Sequence, residues 1–255
     1  MTVGILGGMG PAAGVLFASR LVSMTAADSD RDHVPFIFAS PDTIPDRSAY
    51  LIGESETSPF PALLRECRRL VSAGADFLVI TCNTAHAFLP LLRAEIAAPI
   101  FDMPALAAKE AARCGFRHVG LLSTRGTSET GIFERAFAPY GIGIVKPTPE
   151  EQRAVDSAIV ALKGARRLPK RALAETADAL LRRGADALIL GCTELSLIDR
   201  VIRGKSRKVI DPMTLLARES ILYAGKKLRE KRPTAEKGRA RALPGRYSAV
   251  AENKH

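Results

Sequence analysis

The same local sequence pattern occurs twice in this chain, and the repeat restricts the possible folds more than any other feature. In residues 74–86 a glycine precedes a short apolar run that ends at Cys82, and in residues 184–195 the same order ends at Cys192. A helix-ending glycine followed by an apolar run predicts a tight turn and a buried parallel strand. Open α/β sheets place their ligand sites where such strands end. We therefore expect the two cysteines to face each other across a cleft.

A second landmark repeats at nearly the same spacing. The opening strand, residues 3–8, is matched by residues 118–124 at an offset of 116 positions, and the two cysteines are 110 positions apart. Two landmarks at nearly one offset indicate an internal duplication. The predicted fold class is α/β, with two similar domains that each hold a short, mostly parallel sheet flanked by helices. The active site is expected in the cleft between the domains.

The predicted domains cover residues 1–100 and 101–210. A closing helix over residues 211–228 is expected to pack back on the first domain. The chain of 255 residues, 47% of them hydrophobic and 25% charged, is long enough for two such domains. Residues 229–255 form a basic tail that is predicted to be disordered, because its composition offers little apolar surface to bury.

The net charge of +10 comes mostly from this end of the chain. Residues 226–255 hold ten Lys or Arg and three Glu, which leaves a net charge of only +3 for the other residues. A solvated tail explains this distribution, and a nucleic-acid or membrane-surface role is the alternative. No aromatic residues are interleaved with the charges to recognise bases, so nucleic acid is not the expected partner.

Composition also sets expectations for the compartment and for metals. No apolar run approaches the ~18 residues of a membrane-spanning helix, and the N-terminus is typical of a strand rather than a signal peptide. Four cysteines without a secretory signal indicate free thiols in a reducing environment. We expect a cytoplasmic protein with no membrane partner. No Cys-x-x-Cys or paired histidines predict a zinc site, so no metal is expected.

A glycine-rich turn over residues 7–10 joins the first strand to a helix. Backbone N–H groups at a helix start attract anions. The spacing is not the dinucleotide fingerprint, however, and no strand leads into the ribose-binding candidates Asp28 and Asp30. A small carboxylate is the other ligand that these N–H groups suit. Met9, and Thr124 in the second copy, are therefore candidate carboxylate-binding residues.

A long polar loop covers residues 40–58 and contains Arg47. Loops of this length in compact domains are usually functional or mobile. Arg47 either offers a planar fork to a carboxylate or pairs on the surface with Asp42 or Asp46. The sequence leaves both possibilities open.

The two repeated cysteines suit proton transfer. Each precedes a predicted helix start, where N–H groups favour a thiolate, and Asn83 and Thr84 are predicted to cap the helix after Cys82. A thiolate and a thiol on opposite sides of a ligand form a base and an acid. Such a pair can remove a proton from one face of a carbon and return it to the other, which is racemisation or epimerisation.

The alternative is that these cysteines only pack, since free cysteine is among the most buried residue types. The polar neighbours of Cys82 and Cys192 favour chemistry, whereas Cys67 and Cys114 have no such context and are predicted to be structural. His86, one turn beyond Cys82, either tunes the thiol, lines the pocket, or is a satisfied core residue.

Four motifs together resemble the aspartate/glutamate racemase family, and more narrowly its aspartate racemase branch. They are residues 4–11 (GILGGMGP), 44–47 (IPDR), 81–86 (TCNTAH) and 191–195 (GCTEL). The resemblance covers residues 2–225. It implies a cofactor-independent two-base mechanism with Cys82 and Cys192, two similar α/β domains and a homodimer.

The resemblance also implies roles for the surrounding residues. Arg47 and Lys163 match the two cations that bind the side-chain carboxylate of the substrate in the aspartate branch. The remaining positions surround the α-carboxylate and the reacting carbon, and these are Asn83, Thr84 and Thr193. Glutamate racemases carry a histidine after the second Cys-Thr, so Glu194 favours the aspartate branch and is a candidate substrate-binding residue.

The expected function is therefore cofactor-independent racemisation of an acidic amino acid, most consistently aspartate. Two alternatives stay open. One is another isomerase of the same superfamily, acting on glutamate, a different amino acid or a hydantoin; the other is a catalytically silent binder of acidic metabolites. Arg47 and Lys163 oppose a neutral substrate, and the retention of both cysteines opposes a silent binder.

Overall fold

Two parallel sheets form the framework of the protein. The computed structural model describes residues 1–164, 167–204 and 207–230. The first sheet has the order β2-β1-β3 and the second the order β5-β4-β6-β7, and every pairing in both sheets is parallel. The strands are β1 (Val3–Leu6), β2 (Phe36–Ala39), β3 (Phe77–Ile80), β4 (His118–Leu122), β5 (Gly143–Val145), β6 (Ala187–Leu190) and β7 (Val209–Ile210).

Helices connect these strands as parallel pairing requires. The α-helices are α1 (Pro11–Met24), α2 (Arg47–Leu51), α3 (Phe60–Ser72), α4 (Leu89–Glu95), α5 (Met103–Arg113), α6 (Arg125–Glu129), α7 (Ile132–Phe137), α8 (Pro149–Lys163), α9 (Lys170–Arg182), α10 (Asp199–Arg203) and α11 (Pro212–Tyr223). Four 3₁₀ segments lie at Asp30–Asp32, Thr84–Phe88, Ala138–Tyr140 and Thr193–Ile198. None of the helices in the described residues is long and apolar enough to cross a membrane.

The repeated sequence pattern folds as the duplication predicts. β1 pairs with β3 in the first sheet, and β4 pairs with β6 in the second, with Leu6 opposite Ile80 and Leu122 opposite Leu190. Gly74 and Gly184 end the preceding helices at φ values of 99° and 93°, a region that glycine enters without steric cost. Each cysteine follows a fully buried strand, two residues after its end.

Each sheet is covered by aliphatic side chains on both faces, as its near-continuous apolar strands require. On one face of the first sheet, Val3 and Ile5 pack with Phe17 of α1 and with Met213 and Leu216 of α11. The closing helix thus packs on the first sheet although it follows the second in sequence. This burial of apolar surface contributes about 25 cal/mol per Å².

Two predicted segments differ from the structure. The closing helix ends at Tyr223 rather than at residue 228, because Gly225 turns the chain at a φ of 75°. Residues 40–58 are not a structureless loop, since they contain α2, whose first turn is capped by Asp46. The predicted disorder of the tail concerns residues 231–255, which lie outside the described residues.

Candidate active site

The carboxyl ends of β3 and β6 bring both repeated cysteines to one buried cavity. Cys82 and Cys192 each have 6% of their surface exposed. All ten residues predicted for the site line this cavity, together with two that the sequence did not single out, Asp46 and Ser48. Residues from both halves of the chain therefore meet at one place, where parallel α/β sheets generally place their ligands.

The cavity is closed in this conformation. Its volume is ≈ 10 Å³, which is room for about one water molecule. A ligand larger than water can enter only when the walls from the two halves separate. The site as described is therefore a closed state with its polar groups already assembled.

Cys192 is hydrogen-bonded to a buried carboxylate. Its thiol donates to Oε2 of Glu194 over 2.9 Å, and Glu194 is only 2% exposed. Burial raises the pKa of the Cys192 thiol well above its usual value, the negative charge of Glu194 raises it further, and the Lys163 cation lowers it. Cys192 is therefore a thiol, not a thiolate, at neutral pH.

Lys163, the last residue of α8, supplies a positive charge to the cavity. Burial works against its ammonium, but interactions with the ionised form of Cys192 and with the Glu194 carboxylate outweigh burial and raise the pKa of Lys163. The lysine therefore stays cationic inside the site. The residue as a whole is exposed to solvent, and its side chain forms part of the cavity wall.

Arg47 lies in the first turn of α2, with 8% of its surface exposed. Its guanidinium donates to the carbonyls of Ile44 (3.3 Å), Pro45 (2.9 Å) and Met9 (3.3 Å). No carboxylate of the described residues pairs with it, so the predicted alternative of a surface ion pair with Asp42 or Asp46 was wrong. Its Nε is buried without a hydrogen-bond partner, which leaves one N–H free for a ligand.

Asn83 does not cap a helix, although the sequence predicted that it would. It stands before the 3₁₀ segment Thr84–Phe88 without a side-chain capping bond. Both amide atoms of Asn83 are buried and have no hydrogen-bond partner. Buried polar groups are nearly always satisfied in native proteins, so an unpaired amide at a cavity wall indicates a ligand position.

Hydroxyl groups from three elements meet on one wall. Oγ1 of Thr84 is 2.7 Å from Oγ1 of Thr127 and 3.3 Å from Oγ1 of Thr124, and Ser48 donates to Thr124 over 3.1 Å. Ser48 was missed as a site residue, and Thr127 as its support behind the wall, because serine and threonine are common in turns. Their pairing across the halves of the chain has no local sequence signal.

His86 holds the backbone of the site rather than a thiol. The N–H of Met103 donates to Nε2 of His86 (3.2 Å), so Nε2 carries no proton, and Nδ1–H donates to the carbonyl of Cys82 (2.8 Å). Burial lowers the pKa of His86, which keeps the imidazole neutral. Of the three roles left open by the sequence, the satisfied core residue is the one observed.

The two remaining cysteines lie elsewhere. Cys67 is buried in α3, where burial raises its pKa to about 12, and Cys114 is exposed at the end of α5. All four cysteines are free thiols. Within the described residues, no cluster of three or more His, Cys, Asp or Glu side chains could hold a metal ion.

Comparisons with known proteins agree with this geometry. The model of the Asp/Glu/hydantoin racemase family matches residues 6–220. The structure of Picrophilus torridus aspartate racemase superposes with a TM-score of 0.79 at 33% identity, covering 89% of this chain and 96% of that chain. This superposition confirms the predicted α/β fold class.

Two relatives carry different names. The broad specificity amino-acid racemase of Bacillus subtilis is 25% identical over 86% of this chain and 96% of its own length. The glutamate racemase of Lactiplantibacillus plantarum is 28% identical over 63% of this chain and 62% of its own length. Sequence similarity alone therefore does not select one amino acid.

Proposed function

Because the chain belongs to the Asp/Glu/hydantoin racemase family, as its motifs predicted, we propose that it interconverts L- and D-aspartate. Membership of this family makes it an isomerase. The proposed reaction needs no pyridoxal phosphate or other cofactor. Cys82 and Cys192 are the proposed acid and base, one on each face of the α-carbon. The Picrophilus torridus aspartate racemase, matched over 96% of its length, supports this choice of substrate.

The observation that carries the proposal is the set of buried cavity groups that lack a partner. Arg47 Nε is an unused donor, Glu194 Oε1 is an unused acceptor, and the Asn83 amide offers one of each. A donor beside a cation suits a carboxylate, and a free carboxylate oxygen suits an ammonium group. Together these groups complement a small molecule that carries both charges, which is an amino acid.

The charges of the cavity favour an acidic amino acid. The buried Arg47 and the more exposed Lys163 are two cations that line one cavity, and a neutral side chain would leave the buried Arg47 without a counter-charge at a large desolvation cost. Among acidic amino acids, the match to the Picrophilus torridus aspartate racemase supports aspartate. The preference for aspartate rests on these two features.

The proposed mechanism follows from the position of the two thiols. One thiolate takes the α-proton, and the other thiol delivers a proton to the opposite face. Negative charge that develops on the α-carboxylate is stabilised by the unpaired amide of Asn83 and the hydroxyl groups of the wall. Closure excludes water, and these electrostatic interactions are stronger in a dry site than in solution.

Two alternatives remain. Glutamate or several amino acids could be the substrate, as the Lactiplantibacillus and Bacillus relatives suggest. A silent binder of acidic metabolites is the other alternative. A homodimer is proposed on the family resemblance, and size-exclusion chromatography with light scattering would test it.

The test is α-proton exchange in D₂O, followed by NMR, with both enantiomers of aspartate, glutamate, asparagine and alanine and with no added cofactor. We expect exchange and inversion with aspartate and none with alanine. Exchange with only a neutral amino acid would refute the roles of Arg47 and Lys163. No exchange with any of these substrates, from folded and reduced protein, would favour a binding role.

Single substitutions of the cysteines test the two-base mechanism. Cys82→Ala and Cys192→Ala should each lower racemisation by at least ~10²-fold, because general acid–base groups contribute about that much or more. Cys114→Ala is the matched control, since its thiol is exposed and far from the cavity lining. Wild-type activity in either site variant, with unchanged circular dichroism, would refute the mechanism.

A further inference from the structure

The two cysteines of the cavity have different environments. The thiol of Cys192 donates to Oε2 of Glu194 at 2.9 Å. The thiol of Cys82 has no hydrogen-bond partner among the residues that the structure describes. The position two residues later, which holds Glu194 in the second half, holds Thr84 in the first. The duplication has therefore kept both thiols but given only one of them a charged acceptor.

The carboxylate of Glu194 is held close to Cys192 by packing. A Cβ atom on Gly10 would lie only 2.5 Å from Oε1 of Glu194, so the absence of a side chain at Gly10 makes room for the carboxylate. The hydroxyl of Thr193 lies 3.4 Å from Oε2. Lys163 is near enough to offset the buried negative charge, as a buried carboxylate requires.

We propose that Glu194 is a positioning residue that acts through Cys192, as its proton partner. It keeps the proton on Cys192 in the resting enzyme and accepts that proton when Cys192 serves as the base. Cys192 is then the acid of the first turnover and Cys82 the base. This inference rests on the proposed racemase function, and it adds an asymmetry that the two-cysteine mechanism alone does not contain.

The proton balance is complete with no further reactant than solvent water. In one direction the α-C–H bond breaks, its proton forms an S–H bond on Cys82, and the electron pair stays on the carbon. The Cys192 S–H bond then breaks, its proton bonds to the opposite face of the carbon, and the electron pair stays on sulfur. In the other direction the enzyme starts with both thiols protonated, and the Cys192 proton first moves to the Glu194 carboxylate. The Cys192 thiolate takes the α-proton as the C–H bond breaks, and the Cys82 S–H bond breaks to deliver its proton to the opposite face, which leaves the electron pair on the Cys82 sulfur. The Glu194 carboxyl then releases its proton to solvent water, which restores the resting form.

A purely structural role for Glu194 makes a different prediction. A carboxylate that only filled space or bound the substrate would also shift the acidity of Cys192 when replaced by an amide, but its loss would raise KM for aspartate and leave kcat unchanged. If it is the proton partner, Glu194→Gln removes a negative charge beside the thiol. Thiolate formation at Cys192 then becomes easier, while proton return from the carboxylate is lost.

The experiment measures two quantities in full-length wild type and Glu194→Gln. The first is the pH profile of iodoacetamide alkylation at each cysteine, resolved by peptide mass spectrometry. Both thiols line the same cavity, so limited access for iodoacetamide lowers the maximal alkylation rate of both. The pH at half of that maximal rate, the midpoint, reports the acidity of each thiol. The second is racemisation of aspartate. Glu150→Gln, an exposed position in the first turn of α8, is the matched control.

We expect the Cys192 midpoint in wild type to lie above that of Cys82. In Glu194→Gln it should fall by ~1 pH unit or more, the size of a close charge effect, and the Cys82 midpoint should stay in place. The kcat of racemisation should fall by ~10²-fold. The decrease in kcat/KM should be equal in both directions, because the equilibrium constant of racemisation is one. Glu194→Asp should restore part of both quantities, since it retains a carboxylate.

An unshifted or raised Cys192 midpoint in Glu194→Gln overturns the proposal, as does a kcat of racemisation at the wild-type level. If Glu194→Gln does not fold, Gly10→Ala displaces the carboxylate instead and should shift the Cys192 midpoint in the same direction; no shift overturns the proposal. If the Cys192 midpoint shifts as expected in Glu194→Gln but the wild type exchanges no α-proton, the proposed function is refuted while the Glu194–Cys192 pairing stays intact.

Discussion

The residue four positions after each cysteine anchors its strand end by a different bond. In the first half, His86 binds the carbonyl of Cys82 and the N–H of Met103. In the second half, Ser196 donates to Asp211 at 2.8 Å, and Asp211 also accepts from Arg20 at 2.5 Å. The duplicated backbone thus has equivalent positions, but the chemistry that fixes it has diverged.

His86 makes the stability of the protein sensitive to acid. Burial lowers its pKa below the usual 6.5, so below pH 6.5 the unfolded chain binds a proton that the native imidazole refuses. The free energy of unfolding should therefore decrease as pH falls from 6.5, by at most about 1.4 kcal/mol per pH unit. Urea denaturation between pH 7 and 4 measures this slope.

His86→Gln should lose this part of the acid slope, and His118→Gln, at an exposed position at the start of β4, should retain it. The glutamine at residue 86 should also cost roughly 1–3 kcal/mol at neutral pH, because buried backbone groups lose a partner. Equal slopes in wild type and His86→Gln would contradict the assignment.

Helix α2 spans the cleft between the two halves. Its Ser48 contacts Gly126 of α6 so closely that a Cβ atom on Gly126 would lie 2.6 Å from the Ser48 Cα. The ion pair between Arg125 and Glu54 and the Ser48–Thr124 hydrogen bond join the same two segments. Because α2 also carries Arg47, the α2–α6 contact sets the position of a proposed substrate-binding cation.

A methyl group at this contact should separate α2 from α6. The backbone of residue 126 has a conformation that alanine can adopt. The added Cβ of Gly126→Ala would, however, clash with the Cα of Ser48, which cannot move aside as the end of a flexible side chain could. We expect kcat/KM for aspartate to fall roughly 10²-fold, since misplacements of about 1 Å can cost that much, with a stability loss of at most about 3 kcal/mol.

Ser128→Ala is the control in the same helix, because its hydroxyl makes no hydrogen bond among the described residues and no Cβ is added. Steady-state kinetics and thermal denaturation of both variants give the comparison. Full activity in Gly126→Ala would contradict this prediction, because it would mean that the α2–α6 contact is not needed to position Arg47.

The whole molecule is tied together by contacts from the C-terminal half back to the N-terminal half. Thr193 donates to the carbonyl of Thr81 at 3.1 Å, and Arg20 of α1 pairs with Asp211 before α11. Leu228 bridges Thr25. The two halves can therefore separate to admit substrate only by hinging, since α11 stays packed on α1 and the first sheet.

A chain that ends at Glu230 should keep the contacts described above and therefore retain racemisation within about 2-fold of the full chain, a change of under ~0.5 kcal/mol. Its binding to a heparin column or to duplex DNA should weaken, because seven of the ten Lys and Arg residues in 226–255 lie beyond residue 230. Salt-dependent elution measures this, and loss of racemisation in the short chain would assign the tail to catalysis.

The sequence by itself determined the strands, the helices that join them and the position of both cysteines. Helix-ending glycines, apolar runs and first-turn prolines act within a few residues, so their effect is readable locally. The ten predicted site residues line one cavity for the same reason, because equal strand lengths in two duplicated halves bring equivalent strand ends together.

Only the tertiary structure decided which partners these residues have. The unpaired amide of Asn83, the carbonyls that hold Arg47, the contact of α2 with Gly126 and the room that Gly10 leaves for Glu194 each depend on segments far apart in sequence. Such contacts carry no periodic signal, because they arise when separate elements are packed against each other at native density.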